Sequence, residues 1–399
     1  MTAKNLTSRV GRWALLCVAT AMLCSHALAE PGLRTDGGEA GEAVISIPYL
    51  SSRNYVSSLR VIGELGRFDG YRSFAVGYQS DGLELRAVMN VPTAPAPESG
   101  YPMIIMNHGN VLAAGGPDPI EPYYSREQES EAYLALVEGN PLLRYAREGF
   151  VVLQPDYRGH GKSETRGKHP GHWQRDRDGR VALNNKRERV PRVLDDDGLR
   201  FNGFLYSAYY TIDVLNLLAA LEHFEERPEQ LNLDLENLFM WGRSLGGDVT
   251  ARVLACTDRV SAASIWVPAT TSLWDQAHHY HYDSPDYADG LAMETLLVEV
   301  QTYNKVHGTR LVTSDLVPSN FLDQVSNPVL VQVSERDRGV RSAWGIQFHF
   351  ELLEHGIESD LRVYPGEDHV FRGDVYEQAV QADLAFFRKH LKSVGDERP

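Results

Sequence analysis

The segment Trp241-Gly242-Arg243-Ser244-Leu245-Gly246-Gly247 constrains this chain more than any other. It follows a short apolar run, Leu238-Phe239-Met240, and leads into a helix-like stretch from Leu245 to Cys256. A strand that ends in Gly-x-Ser-x-Gly and passes straight into a helix must reverse within about one residue. A side chain at either flanking glycine would collide with neighbouring backbone. The expected result is a Ser244 hydroxyl exposed at a strand end. The amide of Leu245, first in the helix, would lack an intrahelical partner and could donate to an oxyanion formed above Ser244.

The remaining pattern says what surrounds that turn. Alternating residues flank Asp81-Gly82, so 74–80 and 83–91 read as a hairpin. Met103–Met106, Phe150–Leu153, Ala262–Val267, Val329–Val333 and Leu361–Tyr364 read as strands, the first two as buried ones. Helices are expected over Pro141–Glu148, over an amphipathic Thr211–Phe224, over Ala343–Leu353 and over Tyr376–Leu391. Strands alternating with helices imply a mostly parallel, doubly wound α/β sheet with helices on both faces. Two stretches break the rhythm. Residues 162–205 are polar and rich in Arg and Lys, as in a surface insertion. Residues 270–318 carry aromatics and histidines without strand periodicity, as in a cap.

The N-terminus reads as an export signal over residues 1–29. Lys4, Arg9 and Arg12 precede an apolar stretch, and Ala27-Leu28-Ala29 forms a cleavage pattern. The apolar core is too short to span a bilayer comfortably, so no stable membrane insertion is expected once it is removed. Residues 30–69 are expected to be an N-terminal extension whose first part is mobile, and 70–392 the catalytic domain. Cys17 and Cys24 fall in the signal. Cys256 alone is then left, as a small buried hydrophobe. A net charge of −15 argues against general nucleic-acid binding. Oligomeric state stays open.

A serine hydroxyl needs a base, and the base an acid behind it. In such sheets these groups belong just beyond the carboxyl ends of strands. Asp337 follows Val329–Val333 within Ser334-Glu335-Arg336-Asp337, and His369 follows Leu361–Tyr364 within Pro365-Gly366-Glu367-Asp368-His369. Asp323 and Asp360 are the rival acids, and Asp368 reads as a solvated neighbour of the histidine. The order Ser, Asp, His is that of an α/β-hydrolase triad. His369 would take the Ser244 proton and return it to the leaving group, and Asp337 would fix the tautomer. A second oxyanion amide is expected in His108-Gly109-Asn110, at Asn110.

Asn107-His108-Gly109, the run from Asp156 to Ser163 (Asp-Tyr-Arg-Gly-His-Gly-Lys-Ser), Trp241–Gly247 and Tyr364–His369 occur in that order. Together they resemble the catalytic domain of the prolyl oligopeptidase family of serine peptidases, within the α/β-hydrolase superfamily. The likeness spans residues 70 to 392. It implies a serine-type peptidase with Ser244, Asp337 and His369 as its triad, acting on a short peptide or a small ester. Long members carry an N-terminal β-propeller, for which the residues before 70 are too few. A carboxylesterase on small or aromatic acyl esters is therefore the alternative, and a catalytically silent binding protein of the same fold is a third reading.

No cofactor and no metal are expected. His278, His279 and His281 crowd one irregular stretch without a ligand pattern such as HExxH, and Asp195-Asp196-Asp197 lacks the alternate spacing of a calcium loop. His108 reads as a structural hydrogen-bonding residue, and Asp156 with Arg158 as a pair that holds loops together.

Overall fold

Nine strands make one sheet in the computed structural model, which describes residues 44–109, 144–160, 163, 205–225, 231–269 and 291–392. The strands are β1 (Leu59–Phe68), β2 (Tyr71–Ser80), β3 (Leu83–Pro92), β4 (Tyr101–Asn107), β5 (Val151–Pro155), β6 (Leu233–Arg243), β7 (Ala262–Trp266), β8 (Val329–Ser334) and β9 (Ser359–Tyr364). Their spatial order is β1-β2-β3-β5-β4-β6-β7-β8-β9. β1, β2 and β3 are antiparallel neighbours, and β3 runs antiparallel to β5. Every pair from β5 to β9 is parallel. The chain crosses from β4 to β5 in one direction and then to β6 in the other, so a crevice opens at the carboxyl ends of β4 and β6.

The hairpin forms as its sequence predicts, with Asp81 at φ 51° and Gly82 at φ 80° in the two-residue turn. The boundary expected at residue 70 is corrected. β1 pairs with β2 along its length, and Ile45, Ile47 and Leu50 around the short helix α1 (Ile47–Ser52) are buried in the core. The expected extension thus supplies an edge strand and core residues. The signal 1–29 lies outside the described residues, as does nearly all of 162–205.

Strand alternation divides the core in two. Met103, Ile105, Leu238 and Met240 join one cluster; Ile104, Met106, Phe239 and Trp241 join the other. The first is covered by helices α3 (Tyr206–Ala220), α4 (Leu245–Leu254), α5 (Leu291–His307) and α6 (Ser342–Glu354). The second is covered by α2 (Arg144–Arg147) and α7 (Gly373–Lys389). Helix α3 departs from expectation, because it is not amphipathic in its surroundings: all 15 residues are buried. It packs against both β2 and α4, and Glu299 of α5 accepts from the Leu205 amide at its start. The described part of the expected cap, 291–318, holds the helix Leu291–His307 and a 3-10 turn at Thr313–Leu316, and its Leu296, Val300, Tyr303 and Leu316 enter the first cluster. Among the described residues no helix is long and apolar enough to cross a membrane.

Candidate active site

Ser244 caps the N-terminus of α4 with φ 55° and ψ −120°. A non-glycine residue held there stores on the order of 1–3 kcal/mol of strain, which only the surrounding packing sustains. Its neighbours explain how. A Cβ on Gly242 would lie 2.2 Å from the Gly246 carbonyl oxygen, and one on Gly246 only 1.9 Å from that of Asn107. Both glycines are required by close backbone approach. The elbow is also tied to the end of β7: the Ser244 amide donates to the Trp266 carbonyl (3.0 Å), and the Ala269 amide donates to the Ser244 carbonyl (3.0 Å). Val267, between them, is itself at φ 39°, an unfavourable conformation for a β-branched residue.

Asp337 and His369 meet as the spacing predicts. The imidazole Nδ1 lies 2.8 Å from one carboxylate oxygen of Asp337 and 3.1 Å from the other. Gly339 and Val340 each donate an amide to Oδ1 at 2.7 Å, and the Ser334 hydroxyl donates to Oδ2 at 3.3 Å. The Asp337 side chain is 1% exposed and that of His369 24%, so the acid is shielded while the ring stays reachable. Gly339 lies against the face of the imidazole, where a Cβ would sit 3.0 Å from Cγ.

Asp368 is more than a solvated neighbour. Its Oδ1 accepts the amides of Arg338 (3.0 Å) and His369 (2.8 Å), and its Oδ2 accepts Arg338 Nε (2.7 Å). The Arg338 amide, then the Arg338 side chain and the His369 amide, hold this carboxyl down at about 2. The Glu335 amide donates to the Tyr364 carbonyl and the Arg336 amide to the Glu367 carbonyl, which closes the acid and histidine loops onto each other.

On the far side of the elbow, Gly109 packs against it, and a Cβ there would be 3.3 Å from that of Ser244. Asn110, the expected second oxyanion donor, lies outside the described residues. Leu245 is the first residue of α4, so its amide is one of those that the helix leaves without a carbonyl partner. The loop that leads to Asn110 is braced: His108 Nδ1 lies 2.8 Å from the Gly109 carbonyl oxygen, and the His108 ring stacks on Tyr157, whose hydroxyl donates to the His108 carbonyl. The structural role expected for His108 is the one observed.

Arg158 does hold loops together, but not with Asp156. Its guanidinium grips Asp213 of α3 at 2.7 and 3.0 Å, its own amide donates to the same carboxylate at 2.9 Å, and Ser80 donates to it at 2.7 Å. Burial lowers the Arg158 pKa, but the Asp213 charge and hydrogen bonds outweigh it and the net shift is upward. Asp213 was legible as an oddity, since an acid inside Ile212-Asp213-Val214-Leu215 demands a buried partner. Cys256 is a buried free thiol, pushed up to about 12 by desolvation, as befits a core residue. His278, His279, His281 and Asp195-Asp196-Asp197 lie outside the described residues. Among the described residues no three His, Cys, Asp or Glu side chains cluster as a metal site.

A parallel sheet with antiparallel N-terminal strands, a strained serine between β6 and α4, and an Asp-His pair beyond β8 and β9 define an α/β-hydrolase. The sequence profile of the prolyl oligopeptidase family of serine peptidases matches residues 192–394, just over half of the chain. The chain belongs to that family and is a serine hydrolase. Solved structures of the same fold include two esterases. Acetyl xylan esterase from Paenibacillus sp. R4 is 15% identical with a TM-score of 0.54, over 89% of this chain and 97% of that one. Acetyl xylan esterase 1 from Thermoanaerobacterium sp. JW/SL YS485 is 14% identical with a TM-score of 0.51, over 89% and 96%. Puromycin hydrolase is 19% identical with a TM-score of 0.51, over 79% of this chain but 39% of that enzyme. No curated protein matches the sequence.

Proposed function

We propose that this serine hydrolase cleaves acyl bonds through an acyl-enzyme on Ser244, with His369 as general base and acid and Asp337 as the group that orients it. The observation that carries this reading is the 2.8 Å contact between His369 Nδ1 and the shielded Asp337 carboxylate. A hydrogen bond there fixes Nδ1 as the protonated nitrogen and leaves Nε2 to accept the Ser244 proton. The tetrahedral intermediate places its oxyanion at the Leu245 amide and, in this reading, at a second amide from Asn110. His369 then protonates the leaving group, the carbonyl re-forms, and water attacks the acyl-enzyme with His369 as base.

Family membership supports a peptidase acting on short peptides as the first substrate reading. A second reading, hydrolysis of small acyl esters, has its own support. Both acetyl xylan esterases are spanned almost to their full length, whereas puromycin hydrolase is spanned over 39%. Ester cleavage also asks less protonation of the leaving group, so the same residues accomplish it more readily. Parallel rates on p-nitrophenyl acetate and on prolyl and alanyl p-nitroanilides separate the two readings, and Ser244→Ala is expected to abolish both activities. Turnover that survives in Ser244→Ala excludes the proposed nucleophile. Residues 1–29 are proposed to export the enzyme. N-terminal sequencing of the mature protein is expected to begin at Glu30, and an intact Met1 in exported material would exclude cleavage there.

A further inference from the structure

Asp383 lies in the apolar stretch of α7, on the opposite side of the sheet from the helix that Ser244 caps, and is fully buried. Four side chains converge on it. The Ser264 hydroxyl (2.5 Å), Trp266 Nε1 (3.2 Å) and Gln332 Nε2 (2.6 Å) donate to Oδ1, and the Tyr145 hydroxyl (2.6 Å) donates to Oδ2. Gln332 extends the network, because its Oε1 accepts the Tyr364 hydroxyl at 2.5 Å. The network thus joins β7 and β8 at one carboxylate and reaches β9 through Gln332.

Three of these residues do two things at once. The carbonyl of Trp266 accepts the Ser244 amide (3.0 Å). The carbonyl of Gln332 accepts the Val267 amide (2.7 Å). The carbonyl of Tyr364 accepts the Glu335 amide (3.0 Å), two residues before Asp337. Each side chain faces the network while the same residue's backbone holds a segment of the site. Gln332 and Tyr364 are also paired across β8 and β9 two residues from each other's direct register partners. Side-chain and carbonyl contacts of each residue are thus joined through a single Cα.

We propose that Asp383 is a positioning residue for the catalytic groups: by drawing Trp266, Gln332 and Tyr364 together beneath the sheet's carboxyl edge, it sets the relative heights of the Ser244 turn and the Asp337 loop. A core filler at this position would not need four donors, and apolar neighbours such as Leu384 and Phe387 fill space on the same helix without them. Burying a carboxylate is costly, and burial pushes Asp383 up to about 7 even against the four hydrogen bonds. The four hydrogen bonds offset that cost only in part.

The proposal rests on Ser244, Asp337 and His369 being the reacting groups, and the test keeps the two apart. Initial rates on p-nitrophenyl acetate and thermal melts are measured for Asp383→Ala, Asp383→Asn, Gln332→Met, Tyr145→Phe and Ser244→Ala. Asp383→Ala and Gln332→Met are expected to lower kcat by about 10- to 100-fold with KM nearly unchanged, as a small misplacement of reacting groups does. Asp383→Asn keeps an acceptor at Oδ1 and is expected to restore most of kcat. Tyr145→Phe removes the one donor that comes from α2 and not from the strands under the site, and is expected to lower the melting temperature with a smaller effect on kcat than Gln332→Met. If Gln332→Met melts lower but turns over like wild type, the positioning role is overturned, whether or not Asp383→Ala folds. If Ser244→Ala keeps turnover, the assignment of the triad fails instead.

Discussion

At the scale of single residues, conformation and chemistry are fused at the Ser244 turn. The serine sits at φ 55° because the chain must leave β6 and enter α4 without a loop, and the flanking glycines exist to allow that. Gly246→Ala would drive a Cβ to 1.9 Å from the Asn107 oxygen, so this change is expected to remove both activity and the native fold, read as loss of the cooperative melt. Asp337→Asn is the complementary test. It preserves shape but no longer selects the imidazole tautomer, and kcat is expected to fall by ~10⁴-fold with an unchanged melting temperature. A loss of less than about ten-fold would shift the acid to another residue. These residues were legible in the sequence because local rules bind them: a strand, then a turn, then a named side chain. Of the rival acids, Asp323 lies ahead of β8 and Asp360 within β9, and the carboxylate against His369 Nδ1 is that of Asp337.

At the scale of elements, buried polar pairs decide how loops and helices are held. Arg158 reaches from the loop after β5 to Asp213 on α3, with 9% and 0% of the side chains exposed. Asp213→Ala would leave an uncompensated guanidinium in the interior, and destabilisation of about 3–5 kcal/mol is expected from urea titration. Asp383 adds a pH dependence of opposite sense to that of most carboxylates. Its folded value, near 7, lies above the ordinary value of 3.8. Its contribution to stability is therefore fully present below about pH 4 and is lost as the pH rises toward 7. The groups facing it, Tyr145 of α2, Tyr364 of β9 and Tyr376 of α7, are all pushed upward by burial and stay neutral in that window. Relative to wild type, Asp383→Asn is expected to gain stability between pH 5 and pH 8, measured as the difference in urea midpoints. A difference that is flat across this range would contradict the raised value. Neither pair was readable from spacing, since their partners lie 55 and 51 to 238 residues away in sequence.

At the scale of the whole molecule, the sheet order brings residues from four distant stretches to one edge. β4 and β6 are neighbours, so the Asn107–Gly109 loop rests on the Ser244 turn; β8 and β9 are neighbours, so the loops of Asp337 and His369 close on each other. The proposed chemistry calls on side chains and backbone amides alone. EDTA is accordingly expected to leave turnover on p-nitrophenyl acetate unchanged, and a loss restored by added zinc would demand a metal. A fluorophosphonate probe is expected to label the native protein and not the urea-unfolded one, because a Ser244 hydroxyl proposed to be activated by His369 needs the edge assembled.

What the sequence alone determined is what depends on near neighbours: the Gly-x-Ser-x-Gly turn, the Asp81-Gly82 hairpin, the alternation of buried strands with helices, and the strand ends at which Ser244, Asp337 and His369 fall. Hydrophobic period and glycine geometry act over a few residues, so they survive as pattern. Tertiary structure decided the rest. It recruited residues 59–68 into the sheet, where an unpaired edge of β2 offered hydrogen bonds. It buried α3 on every side, packed against β2 and α4. It also chose Asp213 over Asp156 for Arg158, and tied Asp368 and Asp383 to their donors. A buried charge takes whichever partner the fold carries to it, and that is a property of the packed molecule.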